Sequence, residues 1–182
     1  LFLFLFNFTF IKEKIKEFYQ WQKIENFFSF SQKIKKNNSF RRVEKEDSLE
    51  ISKFDLFLPL SFAHDEQEAQ RKLSEGGVIY LPESTFPVEK GRLVILGHSA
   101  PDFWISRNYE SAFSKISQLK KGDDIILNFN QVEYLFSVQE KYFLEKGEKL
   151  PEKNKEKGEI VLISCWPPGQ DQRRIALLAT LE

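Results

Sequence analysis

The apolar positions of this chain change texture along its length. Residues 1–10, LFLFLFNFTF, are almost wholly apolar. Residues 11–38 set Ile11, Ile15, Phe18, Tyr19 and Phe27 at helical spacing with Lys, Glu and Gln between them, which predicts an amphipathic helix. Residues 35–48, KKNNSFRRVEKEDS, are dense in charge and read as a linker, which puts a domain boundary near Ser48.

From Leu49 onwards short apolar runs alternate with turn signals. LEISKFDLFLPL alternates and ends in proline, so it reads as a strand. Residues 65–75 have an Asp start and a Gly76-Gly77 stop, which frames a short helix. GRLVILGHS is a continuous apolar run and predicts a buried strand ending at Gly97-His98. In residues 107–119, Tyr109, Phe113, Ile116 and Leu119 share one stripe, which predicts a second helix. KKGDD is a turn, DIILNFN and QVEYLFSVQEKYFLE are two strands around Asn130, and 145–158 is a charged loop. EIVLISC and RRIALLATL are the last two strands. Many short strands with two small helices and no internal repeat give a mainly β barrel or sandwich.

Composition adds little to this fold reading but narrows the function. The 182 residues suffice for one domain with a core and some extra sequence. A formal net charge of zero lacks the basic excess of a nucleic-acid surface, so no nucleic-acid partner is expected. The ten-residue, largely apolar start falls short of the roughly 20 residues that cross a bilayer. The chain opens on Leu and contains no Met, and the expectation is a fragment that begins in the clipped end of an N-terminal membrane anchor. The competing reading is an apolar strand or the start of a buried helix. Lys12, Lys14 and Lys16 would favour the cytoplasmic side, yet large domains translocate largely regardless of such charge.

Reactive groups are few. Cys165 is the single cysteine, which excludes an intramolecular disulfide and a Cys-rich zinc site; no metal or cofactor is implied. By count alone a lone cysteine is a small buried hydrophobe. Cys165, however, ends an apolar run and is followed by Trp166-Pro167-Pro168-Gly169. Two prolines cannot continue a ladder, so the chain leaves the sheet there and the thiol lies at the rim. His98 has the same setting, at a strand end before SAPD, where it serves either as a base or as a turn residue. His64, in SFAHDE before a helix, reads as a capping or loop residue. Arg173 and Arg174 begin the last strand; alternation puts them on opposite faces, both largely apolar, and does not choose between them. A thiolate that attacks a carbonyl, an imidazolium that protonates a leaving amine and a guanidinium that binds the oxyanion make a coherent set.

VLISCWPPGQDQRRI resembles the active-site segment of sortases, whose pattern is Thr-Leu-x-Thr-Cys with an arginine at the start of the next strand. Leu162, Ser164 and Cys165 fit it, with Ser164 and Val161 in place of the two threonines. In several sortase branches the arginine lies nine positions after the cysteine, which selects Arg174 over Arg173. LVILGHSAPDFW resembles the family's strand-end Gly-His, so His98 falls on its catalytic histidine. Upstream, Pro82, Pro87 and Gly91 fit loosely a Pro-rich turn and glycine of the same family. The resemblance covers about residues 49–182, and the Cys-Trp-Pro-Pro-Gly run points to a non-housekeeping, class E- or D-like branch.

The resemblance implies an eight-stranded β-barrel behind an N-terminal anchor. The domain is then held on the extracellular face of a bacterial plasma membrane. It implies a cysteine transpeptidase that cuts an LPxTG-type sorting signal through a Cys165 thioester, with His98 and Arg174 as partners and Ser164 and Trp166 as substrate contacts. The implied partners are sorting-signal-bearing surface proteins and an amine nucleophile, a peptidoglycan precursor or a pilin lysine. A peptidase that mainly hydrolyses, or an inactive barrel used for binding, are the alternatives. Leu81–Thr85 (LPEST) has the look of a sorting signal but the wrong order and no apolar tail, and reads as a turn.

Overall fold

A computed structural model describes residues 41–75, 77–80, 90–99, 112–152 and 156–182. The apolar start, the helix expected over 11–38, residues 35–40 of the expected linker, the LPEST turn with Pro82 and Pro87, and Tyr109 lie outside the described residues.

The unit from Arg41 to Glu182 is built on strands. In chain order they are β1 (Arg41–Arg42), β2 (Ser48–Ile51), β3 (Leu56–Phe62), β4 (Val78–Tyr80), β5 (Arg92–Gly97), β6 (Asp124–Phe129), β7 (Val132–Leu144), β8 (Glu159–Trp166) and β9 (Arg173–Leu181). The sheet runs β1-β7-β6-β2-β3-β4-β5-β8-β9, and β9 pairs back onto β7. That last pairing closes β2 to β9 into an eight-stranded barrel and leaves β1 as an appended edge. Closure removes the open edges that would otherwise template association. The β3–β4 and β5–β8 pairs are parallel and the others antiparallel.

Two sequence expectations change. LEISKFDLFLPL is not one strand: β2 and β3 form a hairpin around a 3-10 turn at Ser52–Phe54, closed by Asp55 in a left-handed conformation (φ 49°). Asp and Asn tolerate that region better than most residues, so the polar SKFD breaks the run. The described part of 107–119 is a turn followed by a 3-10 segment, Ile116–Gln118, rather than an α-helix. Its Phe113 backbone N–H donates to the His98 carbonyl at 2.8 Å, outside any helical ladder. The other helix forms over Glu66–Glu75, where Asp65 Oδ1 accepts the Glu68 N–H at 2.8 Å. Asn130 and Gln131, both at positive φ, make the two-residue turn between β6 and β7.

Strand pleating sorts β5, β8 and β9 into two faces. Leu93, Ile95, Ile160, Leu162, Ile175, Leu177 and Ala179 share one face and are at most 2% exposed, so they form the barrel interior. The opposite, outer face is apolar too. On it Leu144, Val161 and Ala176 cluster with Tyr142, Leu150, Ile163 and Leu178. Farther round, Ile79 clusters with Ala63, Ala69, Leu73 and Leu96 beneath the helix. Leu96 and Ile163 are register partners, so an apolar floor runs continuously from one cluster to the other.

Candidate active site

β8 ends at Trp166, immediately before Pro167, and carries Cys165 half-buried at the barrel rim. Cys165 alternates with Val161 and Ile163, so it stands on the outer face at the end of the apolar floor. Its direct antiparallel partner on β9 is Arg174, while Arg173 stands across from Trp166. Directly paired residues share a face. The register therefore puts the Arg174 guanidinium on the thiol's side and Arg173 on the other, which alternation within β9 alone leaves open.

His98 follows β5, the parallel neighbour of β8. The register runs Arg92↔Glu159 to Leu96↔Ile163, and carrying the count on sets His98 level with Cys165. Two side-chain bonds fix that alignment from either side. Ser164 Oγ donates to the Gly97 carbonyl at 2.6 Å, and Ser99 Oγ donates to the Cys165 carbonyl at 2.8 Å. The Gly169 N–H also reaches the Ser99 carbonyl at 2.5 Å, tying the turn after Cys165 to the loop after His98. Gly97 is required here: a Cβ would fall 2.7 Å from the Phe113 ring. Phe113 is thus the buried plug under the strand end that presents His98.

The two expected substrate contacts have other partners in the structure. Ser164 is buried and uses its hydroxyl to join β8 to β5, so it positions the strands. Trp166 points to the face opposite Cys165 and packs on Phe143 with ring centroids 5.1 Å apart. Val161, the other departure from the threonine pattern, is a buried member of the outer-face cluster. His64 sits before the helix, exposed, its ring 4.7 Å from Phe62 and its Nδ1 3.6 Å from Glu68 Oε2, as a loop residue would.

Two charged groups beside the thiol escaped the sequence reading. Asp171 Oδ1 accepts from Arg174 Nη1 at 2.5 Å and lies 3.7 Å from Cys165 Sγ, and Asp171 Oδ2 meets Lys146 Nζ at 2.6 Å. Asp171 carries a faint signal, an acid three residues before an arginine; Lys146, 25 residues away, carries none. The flanking cations hold the Asp171 carboxyl down at about 2. The Cys165 thiol is pushed above its ordinary value, first by burial; Arg174 pulls it down and Asp171 pushes it up. Burial and Asp171 thus favour the protonated thiol, against the pull of Arg174 and Lys146. Among the described residues no cluster of three or more His, Cys, Asp or Glu side chains could hold a metal ion.

The family model of the sortase domain matches residues 49–182. Sortase D of Bacillus subtilis (strain 168) is 25% identical over 120 residues, covering 65% of this chain and 53% of that protein. The chain thus spans about half the length of the curated relative it matches. In fold it is similar to Sortase A from Corynebacterium diphtheriae, with a TM-score of 0.62, 22% identity and coverage of 78% of this chain and 62% of that one. It is also similar to Sortase E1 from Streptomyces coelicolor with a tripeptide in the active site, with a TM-score of 0.61, 16% identity and coverage of 78% and 91%.

Proposed function

This chain belongs to the sortase family, and we propose that it is a cysteine transpeptidase acting through Cys165, His98 and Arg174. The observation that carries the reading is the rim geometry: a half-buried thiol directly across from an arginine, level with a strand-end histidine on the neighbouring parallel strand. In this mechanism the thiol passes its proton to His98, and the thiolate attacks the scissile carbonyl. Arg174 donates to the oxyanion. The His98 imidazolium then protonates the departing amine, which leaves a thioester on Cys165. An incoming amine attacks the thioester, releases the thiol and forms a new amide.

The substrate of this reading is an LPxTG-type sorting signal on a surface protein. The partly exposed Leu96 and Ile163 of the apolar floor suit its Leu-Pro end, with the cut bond over Cys165. The nucleophile is an amine of a peptidoglycan precursor or of a pilin lysine. An LPxTG-type peptide incubated with the protein and excess amine should give the amide-exchanged product by mass spectrometry. Hydrolysed product alone at saturating amine would sink the transfer claim and leave a peptidase. The same reading puts the domain on the extracellular face of a bacterial plasma membrane, held by an N-terminal anchor. Protease added to intact cells should then remove it, and full protection would place the domain elsewhere.

A further inference from the structure

Asp171 binds three groups at once. Its Oδ1 takes Arg174 Nη1 at 2.5 Å and faces Cys165 Sγ at 3.7 Å, while its Oδ2 holds Lys146 at 2.6 Å. Lys146 follows β7 and Asp171 lies between β8 and β9, so the carboxylate bridges two connecting segments beside the thiol. Two consequences oppose catalysis. The contact with sulfur is favourable while the S–H keeps its proton, because a thiolate there would confront a carboxylate. The contact with Arg174 engages Nη1, which also donates to the Arg173 carbonyl at 3.0 Å, and it holds the guanidinium against a carboxylate that competes with a developing oxyanion. Nothing in the core retains Asp171, whose side chain is 63% exposed. Exposed ion pairs of this kind exchange partners at little cost.

We propose that Asp171 is a positioning residue that holds the site at rest, competing with the substrate carbonyl for Arg174 and keeping the Cys165 thiol protonated until substrate displaces it. Lys146 retains the displaced carboxylate, so the bridge opens on the Arg174 side and can re-form after product leaves. This rests on reading Cys165 as the nucleophile. The groups whose charge acts on the thiol are Asp171, Arg174 and Lys146, with the His98 imidazole at the adjacent strand end.

The test is the rate of Cys165 alkylation by iodoacetamide in the full chain from pH 6 to 10, which needs no substrate. Asp171→Asn keeps the shape and removes the charge. The midpoint of its profile should fall, with a gain of about three-fold at pH 7 for each pH unit of fall. A tenfold rise in thiolate per unit is partly offset by the lower nucleophilicity of the more acidic thiol. Lys146→Met frees Asp171 to act on Arg174 and sulfur alone, so the midpoint should rise. Asp171→Glu should restore a profile near that of the wild type. An unchanged midpoint in Asp171→Asn, or a slower reaction, overturns the proposal. With an LPxTG-type peptide, Asp171→Asn should lower KM more than it changes kcat; a KM at or above that of the wild type also counts against it. If alkylation responds as expected but no peptide is cleaved by the wild type, the transpeptidase reading fails and the role of Asp171 at the thiol stands.

Discussion

At the start of β8, Arg92 and Glu159 face each other across the β5–β8 register with side chains 14% and 1% exposed. Arg92 Nε bonds the Glu159 carboxylate, and its Nη1 reaches the Pro151 carbonyl at 2.7 Å. At the far end of the same strand, Arg174 and Asp171 pair with side chains 33% and 63% exposed. The chemistry is the same and the consequences differ. A buried pair that loses one partner leaves an uncompensated charge out of water, so the first pair is locked. An exposed pair is screened and resolvated when it parts, so the second is free to open. The barrel therefore has a locked pair at one end and a loose pair at the other, a strand length apart, and Cys165 stands beside the loose one.

Four substitutions sharpen or break that contrast. The largest effect belongs to Cys165→Ala, which should abolish thioester formation and peptide cleavage while moving the urea midpoint little, since it trims one half-buried side chain. Residual thioester trapping in this variant would mean another nucleophile. Next is Glu159→Ala in the locked pair. It should destabilise the fold by about 3–5 kcal/mol in urea denaturation, the usual cost of breaking a buried pair, with an unchanged alkylation rate per folded molecule. A wild-type midpoint would show that the buried pair is not a rivet. Arg174→Ala should lower kcat/KM by roughly 100-fold, the scale of one lost oxyanion donor, and Arg173→Ala by only a few-fold. Equal losses would remove the distinction that the β8–β9 register draws between them.

The barrel was largely readable because its signals are local. EIVLISC and RRIALLATL became β8 and β9, and LVILG became β5, since continuous apolar runs bounded by Gly and Pro have few other outcomes. The errors came where tertiary bonds compete with local preference. The stripe of Phe113, Ile116 and Leu119 is genuine, and all three side chains are buried, yet Phe113 gives its N–H to the strand end at His98 and its ring to Gly97. A helical pattern shows that a face is buried; it does not show which backbone groups the segment will meet. Ser164 and Trp166 bond and pack away from the thiol for a related reason, because adjacency to Cys165 in sequence puts a residue on the opposite face of a pleated strand.

What the sequence determined by itself is the inventory and the rim. One cysteine, ended by a strand and two prolines, had to lie where the chain leaves the sheet, and His98 had the same setting. What tertiary structure decided is which side chains meet. Register selected Arg174 as the partner across from Cys165, because cross-strand neighbours are set by hydrogen-bonded pairing between segments whose separation no local pattern encodes. Barrel closure, with the two connecting segments it leaves at the rim, brought Asp171 and Lys146 to the thiol from 6 and 19 residues away along the chain, distances that only folding cancels.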